Sequence, residues 1–117
     1  MLQLRPEQLA AFERVEMDKF IARARRNIRE FWAEESEQQD DASLDQLITR
    51  SVARCRELDA DGEEDILIYI NHMYALGEDF ENDSLFPWVS EILQDASMDG
   101  SARMEALAER TEMELSS

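Results

Sequence analysis

The sequence is poor in the residues around which catalytic and metal sites are usually built. It has a single cysteine, Cys55, so it can form neither an internal disulfide nor a thiolate cluster. It has a single histidine, His72, which no cysteine or second histidine can join at a zinc ion. A glycine-rich phosphate loop and a nucleophile elbow are also missing. We therefore predict that the protein is not an enzyme and needs no metal or cofactor.

Glycine and proline are scarce as well, at three and two residues, and valine and threonine are few. A composition of this kind favours helix over strand. No apolar run approaches the length of a membrane span, and the opening residues lack the basic and apolar regions of a secretory signal. For 117 residues we expect a single domain, 1–117, located in the cytoplasm and without a membrane partner.

Basic residues are outnumbered, 12 against 28 acidic ones, which gives a net charge of −16. Residues 1–33 carry 7 basic and 5 acidic side chains, a net of +2, which leaves −18 for the remainder. This balance argues against nucleic acid as a partner, because that binding relies on basic groups that displace counterions from phosphates. It favours a basic protein partner, although the same acidity can serve solubility alone.

Hydrophobic periodicity predicts an all-α fold, a bundle of about five helices. The first helix is expected to begin at Pro6 and to reach about Glu34. A polar loop over 35–43 precedes a second helix, for which Ser43 and Gln46 form a capping box. The positions of these two helices expected to face the core are Leu9, Phe12, Met17, Phe20, Ile21, Ala24, Ile28, Phe31 and Trp32, then Leu44, Leu47, Ile48, Val52, Cys55 and Leu58.

The third helix, from Ile66 to Leu76, is apolar on nearly every side. We predict that it is the buried central helix of the bundle, enclosed by the others. Asp61 and Glu64 are expected to cap its start, and the glycine that follows it to stop it in a left-handed conformation. Asn71 and His72 are the only residues of this helix expected to face outward.

The acidic loop 78–83 leads into two further helices. Phe80 is expected to be buried, and Asp83 or Ser84 to cap the turn before Pro87, which begins the fourth helix. The expected core positions are Trp88, Ile92 and Leu93 in the fourth helix, and Met104, Leu107, Ala108, Thr111 and Leu115 in the fifth, which follows Asp99-Gly100-Ser101.

Three features could carry chemistry but favour a structural role. Residues 57–62 look like the first half of a calcium loop, yet Glu64 and Ile68 stand where an apolar residue and the bidentate acid belong. Cys55 lies on an apolar stripe, which predicts a buried and inert thiol. His72 has neither an orienting carboxylate nor a nucleophile one turn away, so we expect a structural or solvent-facing imidazole.

Two groups of residues could contact a partner. The basic ridge of the first helix, formed by Arg14, Lys19, Arg25, Arg26 and Arg29, can pair with acidic loops of the same molecule or meet an acidic partner surface. Aromatic residues are crowded between 69 and 88, where they can form a core or anchor an interface, and Phe86 is expected to be the most exposed. The residues predicted at an interface are Arg25, Arg29, Asp79, Glu81, Asp83 and Phe86. The long first helix could also support a homodimer, since its apolar arc exceeds what a small domain covers.

Four stretches together span nearly the whole chain. They are Leu4-Arg5-Pro6-Glu7-Gln8-Leu9-Ala10-Ala11-Phe12, Tyr69-Ile70-Asn71-His72-Met73-Tyr74-Ala75-Leu76-Gly77-Glu78-Asp79-Phe80 with Asp83, Leu85-Phe86-Pro87-Trp88 with Ile92-Leu93, and Ser101-Ala102-Arg103-Met104. In this order and spacing they resemble a family of small proteins encoded beside type VI secretion effectors in Proteobacteria. Arg5 departs from the family pattern, in which a capping Thr or Ser is usual, and Phe86 is inserted near the Leu-Pro-Trp turn.

The resemblance implies an accessory or co-chaperone role in loading an effector onto the secretion spike. In such gene clusters the neighbours are typically a proline-alanine-alanine-arginine tip protein, a larger chaperone or adaptor, a toxin and its immunity protein. The expected partner is therefore the effector, its adaptor or chaperone, or the spike-tip protein. The alternative is an immunity protein whose acidic surface blocks a basic toxin such as a nuclease.

Overall fold

The computed structural model describes residues 5–116, apart from the side chains of residues 9, 10 and 12. Leu4, which opens the first stretch of the resemblance, and the predicted burial of Leu9 and Phe12 lie outside the described part. The helices are α1 (Pro6–Phe31), α2 (Asp41–Glu57), α3 (Glu63–Leu76), a 3₁₀ helix (Phe80–Asn82), α4 (Pro87–Leu93) and α5 (Gly100–Leu115). Since residues 5–116 contain these five α-helices and no strand, the all-α prediction is confirmed.

The chain divides into two compact units, residues 1–48 and 49–117, and the division falls within α2. In the first unit the buried apolar side chains are Phe20, Ala24 and Ile28 of α1 and Leu44, Leu47 and Ile48 of α2. Phe31, predicted to face the core, is instead 66% exposed because α1 ends at this residue and the chain turns away. That residues 1–117 form one domain stays a prediction.

The ends of the helices in the first unit are set by polar side chains. As predicted, α1 begins at Pro6, and the Oε1 atom of Gln8 accepts a hydrogen bond of 3.0 Å from the Arg5 backbone N–H. The predicted capping box of Ser43 is wrong, since α2 already begins at Asp41. The carboxylate of Asp40 caps it, with Oδ1 accepting from the Ser43 backbone N–H at 2.8 Å. This bond lowers the pKa of Asp40.

In the second unit, α5 contacts both α3 and α4, and the 3₁₀ helix contacts the same two helices. The buried apolar side chains of this unit are Val52, Cys55, Leu58, Ala60, Ile66, Tyr69, Ile70, Met73, Leu76, Phe80, Trp88, Val89, Leu93, Met104 and Leu107. The predicted burial of Phe80 is therefore confirmed. Val89, which the apolar spacing did not predict in the core, is fully buried, whereas Leu115, expected in the core, is exposed.

The predicted enclosure of α3 on nearly every side is not confirmed, since Ala75 is exposed and Leu67 and Ile68 are half-buried. The outward orientation predicted for His72 is wrong, because this side chain is only 7% exposed. A long-range hydrogen bond with the Thr111 hydroxyl makes that burial possible.

The two ends of α3 also differ from expectation. Its N-cap residue is Gly62, without a side-chain hydrogen bond, so the capping box predicted for Asp61 and Glu64 is wrong. At the other end Gly77 has the expected positive φ, at 113°, but its ψ of 154° lies outside the left-handed helical region. Glycine is suited to this backbone conformation, which side chains disfavour.

Helices α4 and α5 begin where the sequence predicts, at Pro87 and after Asp99. The Asp99 carboxylate accepts a 2.8 Å hydrogen bond from the Ala102 backbone N–H and so caps α5. Before α4, the Asp83 carboxylate accepts from the Leu85 backbone N–H at 2.9 Å and shapes the turn.

Gly100, the first residue of α5, lies directly against the loop between α2 and α3. A Cβ atom at this position would be 1.9 Å from the carbonyl oxygen of Asp59 and 2.8 Å from the Ala60 nitrogen. One turn later, Nη2 of Arg103 donates to the Leu58 carbonyl at 2.8 Å. The start of α5 therefore seats against the backbone of this loop, and only glycine fits.

We predict that Gly100→Ala lowers the free energy of unfolding by about 2–3 kcal/mol, because the added methyl group collides with backbone that cannot move aside cheaply. Urea denaturation followed by circular dichroism measures the change. Helix propensity alone favours alanine over glycine, so the sign of the change tests the contact. Gly62→Ala is the control, since its Cβ would meet nothing closer than Asp65 Oδ2 at 3.5 Å.

Candidate protein-binding surface

Arg25, one of the predicted interface residues, is held by an acid of its own chain. Its Nε and Nη2 atoms donate to Oδ1 and Oδ2 of Asp45 at 2.8 and 3.1 Å. This paired geometry raises the pKa of Arg25 and ties the middle of α1 to the start of α2. The structure thus gives this arginine a role within residues 1–48, whether or not it also meets a partner.

Arg29, the second predicted interface arginine, clamps the loop between α1 and α2. Its Nη1 atom donates to the carbonyl oxygen of Ser36 at 2.5 Å, and its Nη2 atom donates to that of Gln39 at 2.6 Å. Nη2 also lies 3.2 Å from Oδ1 of Asp41. One guanidinium thus satisfies two loop carbonyls and reaches the first residue of α2.

The remaining members of the basic ridge lie on the surface. Lys19 pairs with Glu16 at 3.4 Å, and both side chains are well exposed. Arg14 and Arg26 are exposed. An exposed pair of this kind contributes little to stability, so these positions are more available to a partner than Arg25 and Arg29 are.

In the acidic loop, Glu81 is the anchor of a polar network. Its carboxylate accepts from Arg54, with Nη2 at 2.7 Å from Oε1 and Nε at 3.0 Å from Oε2, and also from the hydroxyl of Tyr69. Burial alone would raise the pKa of Glu81, but the hydrogen bonds from Arg54 and Tyr69 outweigh it and lower the pKa. Burial and the bond to Glu81 raise the pKa of Tyr69. With only 17% of its side chain exposed, Glu81 chiefly fastens the 3₁₀ helix to α2 and α3.

The other predicted interface residues of this region are more accessible. Asp79 is exposed and accepts a 2.8 Å hydrogen bond from the Asn82 side chain. Asp83 is half-buried, and so is Phe86, whose ring lies edge-on to Trp88 at a centroid distance of 5.5 Å. Leu85, which sequence analysis did not select, is 74% exposed. An apolar residue beside an acidic loop is thus presented to solvent.

An acidic cleft of about 510 Å³ lies between α3 and α5. It is lined by Gly62, Glu63, Glu64, Asp65, Ile68, Ser101 and Glu105. The hydroxyl of Ser101 donates to Oδ2 of Asp65 at 2.6 Å and joins its two sides. This cleft could not be predicted from the sequence, because no sequence signal places Glu105 beside the start of α3.

The two residues most suited to catalysis are both buried. Cys55 is fully buried, as predicted, and burial raises the pKa of its thiol to about 12. His72 bonds to the carbonyl of Ile68 and to the hydroxyl of Thr111, at 2.8 and 3.1 Å. Burial lowers its pKa, against the effect of the carbonyls of Ile68 and Leu107. Of the two roles left open for His72, the structural one is the one observed.

Within residues 5–116, no group of three or more His, Cys, Asp or Glu side chains is arranged to hold a metal ion. None of the helices in that part of the chain has the length and apolar character that a membrane crossing needs. The chain matches no protein-family model, no curated protein and no solved structure.

Arg29→Lys is predicted to lower the free energy of unfolding by about 1–2 kcal/mol, because an ammonium group cannot bridge two carbonyls as a planar guanidinium does. Arg26→Lys, the same change at an exposed position one turn away, should alter it by less than about 0.5 kcal/mol. Chemical denaturation of both variants gives the comparison. Equal stabilities would show that the loop does not depend on Arg29.

Glu81→Gln is predicted to cost about 1–2 kcal/mol, because it removes the charge that pairs with half-exposed Arg54. Glu78→Gln is the matched control, since Glu78 pairs with Arg50 at 3.9 Å and both side chains are mostly exposed. The pKa of Glu81 is lowered from its ordinary 4.5. The advantage of the wild type is therefore complete above pH 4.5 and disappears as pH falls through the lowered value. Denaturation across this range tests both points.

Proposed function

We propose that the protein is a non-enzymatic accessory factor, of the co-chaperone or adaptor kind, that acts by binding another protein in the cytoplasm. Its partner is a basic surface on a type VI secretion effector, on the adaptor or chaperone of that effector, or on the spike-tip protein. The link to secretion rests on the resemblance of the four sequence stretches. The binding mode rests on the distribution of charge in residues 49–117.

The observation that carries the proposal is the excess of acid in this unit. Residues 49–117 contain 17 acidic and 5 basic side chains, a net of −12. Four of the five arginines are engaged within the unit: Arg54 with Glu81, Arg50 with Glu78, Arg110 with Glu114, and Arg103 with a backbone carbonyl. Five cations cannot neutralise 17 anions, so the surface keeps a strong negative potential. A potential of this sign speeds encounter with a basic partner and discourages acidic ones.

The cleft between α3 and α5 offers such a partner a place to dock. Its lining combines the carboxylates of Glu64, Asp65 and Glu105 with the apolar side chain of Ile68. A lysine or arginine side chain has the same two parts, an apolar stem and a charged head. The residues predicted earlier, Asp79, Asp83 and Phe86, together with exposed Leu85, form a further accessible part of the same unit.

An immunity protein is the second candidate function. The same acid excess favours it, since a polyanionic surface can occupy the basic site of a nuclease toxin. Coexpression separates the two functions. An immunity protein rescues cells that produce the toxin alone, whereas an accessory factor changes the solubility or export of the effector without rescue.

For the test, the proteins encoded beside its gene are purified and titrated with the full chain by calorimetry. We expect one of them to bind, and Glu64→Lys with Glu105→Lys to weaken that binding by about tenfold or more, or about 1.4 kcal/mol. Affinity should also fall as salt is raised, because screening weakens contacts between exposed charges.

Glu7→Lys with Glu13→Lys is the matched control. It changes the net charge by the same amount as the cleft variant, and it also replaces one residue in the first turn of a helix, here α1, and one further along a helix. Binding by this control should change by less than about threefold if the cleft is the docking site. Equal losses in both double variants would mean that net charge alone drives association. Absence of binding to every neighbour would refute the proposed function.

A further inference from the structure

A chain of three buried side chains joins α3, α4 and α5. The indole Nε1–H of Trp88 donates to Oγ1 of Thr111 at 3.2 Å, and Oγ1 lies 3.1 Å from Nε2 of His72. On its other side the imidazole bonds through Nδ1 to the carbonyl of Ile68, at 2.8 Å. Each of the three helices contributes one member of this chain.

The partners fix which nitrogen of His72 carries the proton. A carbonyl can only accept, so Nδ1 must be protonated, and Nε2 of the neutral ring must then accept the hydroxyl proton of Thr111. Because an indole N–H can only donate, Oγ1 of Thr111 accepts the hydrogen bond from Nε1–H of Trp88 through a lone pair. Every donor therefore has an acceptor: Trp88 donates to Thr111, Thr111 donates to His72, and His72 donates to the Ile68 carbonyl.

A second proton on the ring breaks this order. Nε2 would become a donor, so Thr111 could no longer donate its hydroxyl proton to His72 and would have to turn that proton toward another acceptor. A positive charge would also be placed on a side chain that is only 7% exposed and so largely removed from water. The neutral ring is therefore part of the packed state, and the charged ring is not.

No carboxylate among the described contacts of His72 offsets this charge. Its polar partners are the Thr111 hydroxyl and the carbonyls of Ile68 and Leu107, and burial lowers the pKa of the ring despite these two carbonyls. The ionisable groups on the surrounding elements are engaged elsewhere or exposed. Glu81 accepts from Arg54 and Tyr69, Arg110 pairs with Glu114, and Arg103 donates to the Leu58 carbonyl. Asp79, Glu91, Glu105, Glu109 and Glu112 lie at the surface.

We propose that this chain of hydrogen bonds is an acid-sensitive latch, in which neutral His72 holds α4 and α5 on α3 and protonation of the ring releases α4. Helix α4 is the element that opens because it has seven residues, too few for a helix to persist without packing. Its attachment depends on three buried side chains, Trp88, Val89 and Leu93. Trp88 is both the largest of these and the first member of the latch.

The direction of the pH dependence follows from the burial of the imidazole. A histidine kept neutral in the closed state and free to protonate in the open state favours closure fully above pH 6.5. As pH falls below that value, the ratio of closed to open molecules decreases about tenfold per pH unit until the ring of the closed state also protonates. Most carboxylates stay ionised down to about pH 5, which leaves a window in which His72 is the main titrating group.

Two measurements on the full chain test the latch. Since His72 is the only histidine, nitrogen NMR of the imidazole reports its tautomer and titration without further assignment. We expect the proton on Nδ1 at neutral pH. With Trp32→Phe leaving Trp88 as the sole tryptophan, its fluorescence should shift to the red between neutral pH and pH 5, reversibly and with the midpoint of the histidine titration.

Two variants separate the latch from general acid unfolding. His72→Gln should remove the fluorescence transition above pH 5 and leave only the one caused by carboxylates. Thr111→Val keeps the shape and the histidine but removes the hydroxyl, so His72 should titrate without a matching change at Trp88. If His72→Gln does not fold, the Thr111→Val comparison decides. A proton on Nε2 at neutral pH, or a Trp88 transition that survives in either variant with an unchanged midpoint, would overturn the proposal.

Discussion

The hydroxyl of Thr111 is the polar contact on which the arrangement of α3, α4 and α5 depends. It accepts from Trp88 of α4 and bonds to His72 of α3 while its own backbone belongs to α5. Apolar contacts draw these helices together, but such contacts are not directional. A buried hydroxyl with two fixed partners is directional, and leaving any of the three groups unpaired would cost about 1–3 kcal/mol. It therefore selects one packing among those that burial alone would allow.

Outside this cluster, three arginines hold loops, while Arg14, Lys19 and Arg26 lie on the surface. Arg29 binds two carbonyls of the loop before α2, Arg54 holds Glu81 beside the 3₁₀ helix, and Arg103 binds a carbonyl of the loop before α3. Arginine is suited to this use because its guanidinium presents several donors in a fixed plane.

Features encoded locally could be predicted from the sequence. Proline marks the starts of α1 and α4, an aspartate before a glycine marks that of α5, and apolar spacing predicted Phe80 and Cys55 in the core. The orientation of His72 could not be predicted, because it depends on a residue 39 positions away. The cap of α2 was missed because Asp40 lies outside the helix that it caps, and Ser43 matched the motif equally well. The interface remains the least predictable part, since exposed charge has the same appearance whether or not a partner exists.

The burial of Cys55 has a consequence for how the second unit can be studied. Its sulfur is out of reach of solvent, and burial raises the pKa of its thiol to about 12. A thiol-modifying reagent must therefore wait for the helices around it to separate before it can react. Because Cys55 is the only cysteine in the sequence, the rate of labelling reports the opening of this unit alone. Cys55 is thus an intrinsic probe of opening in the second unit.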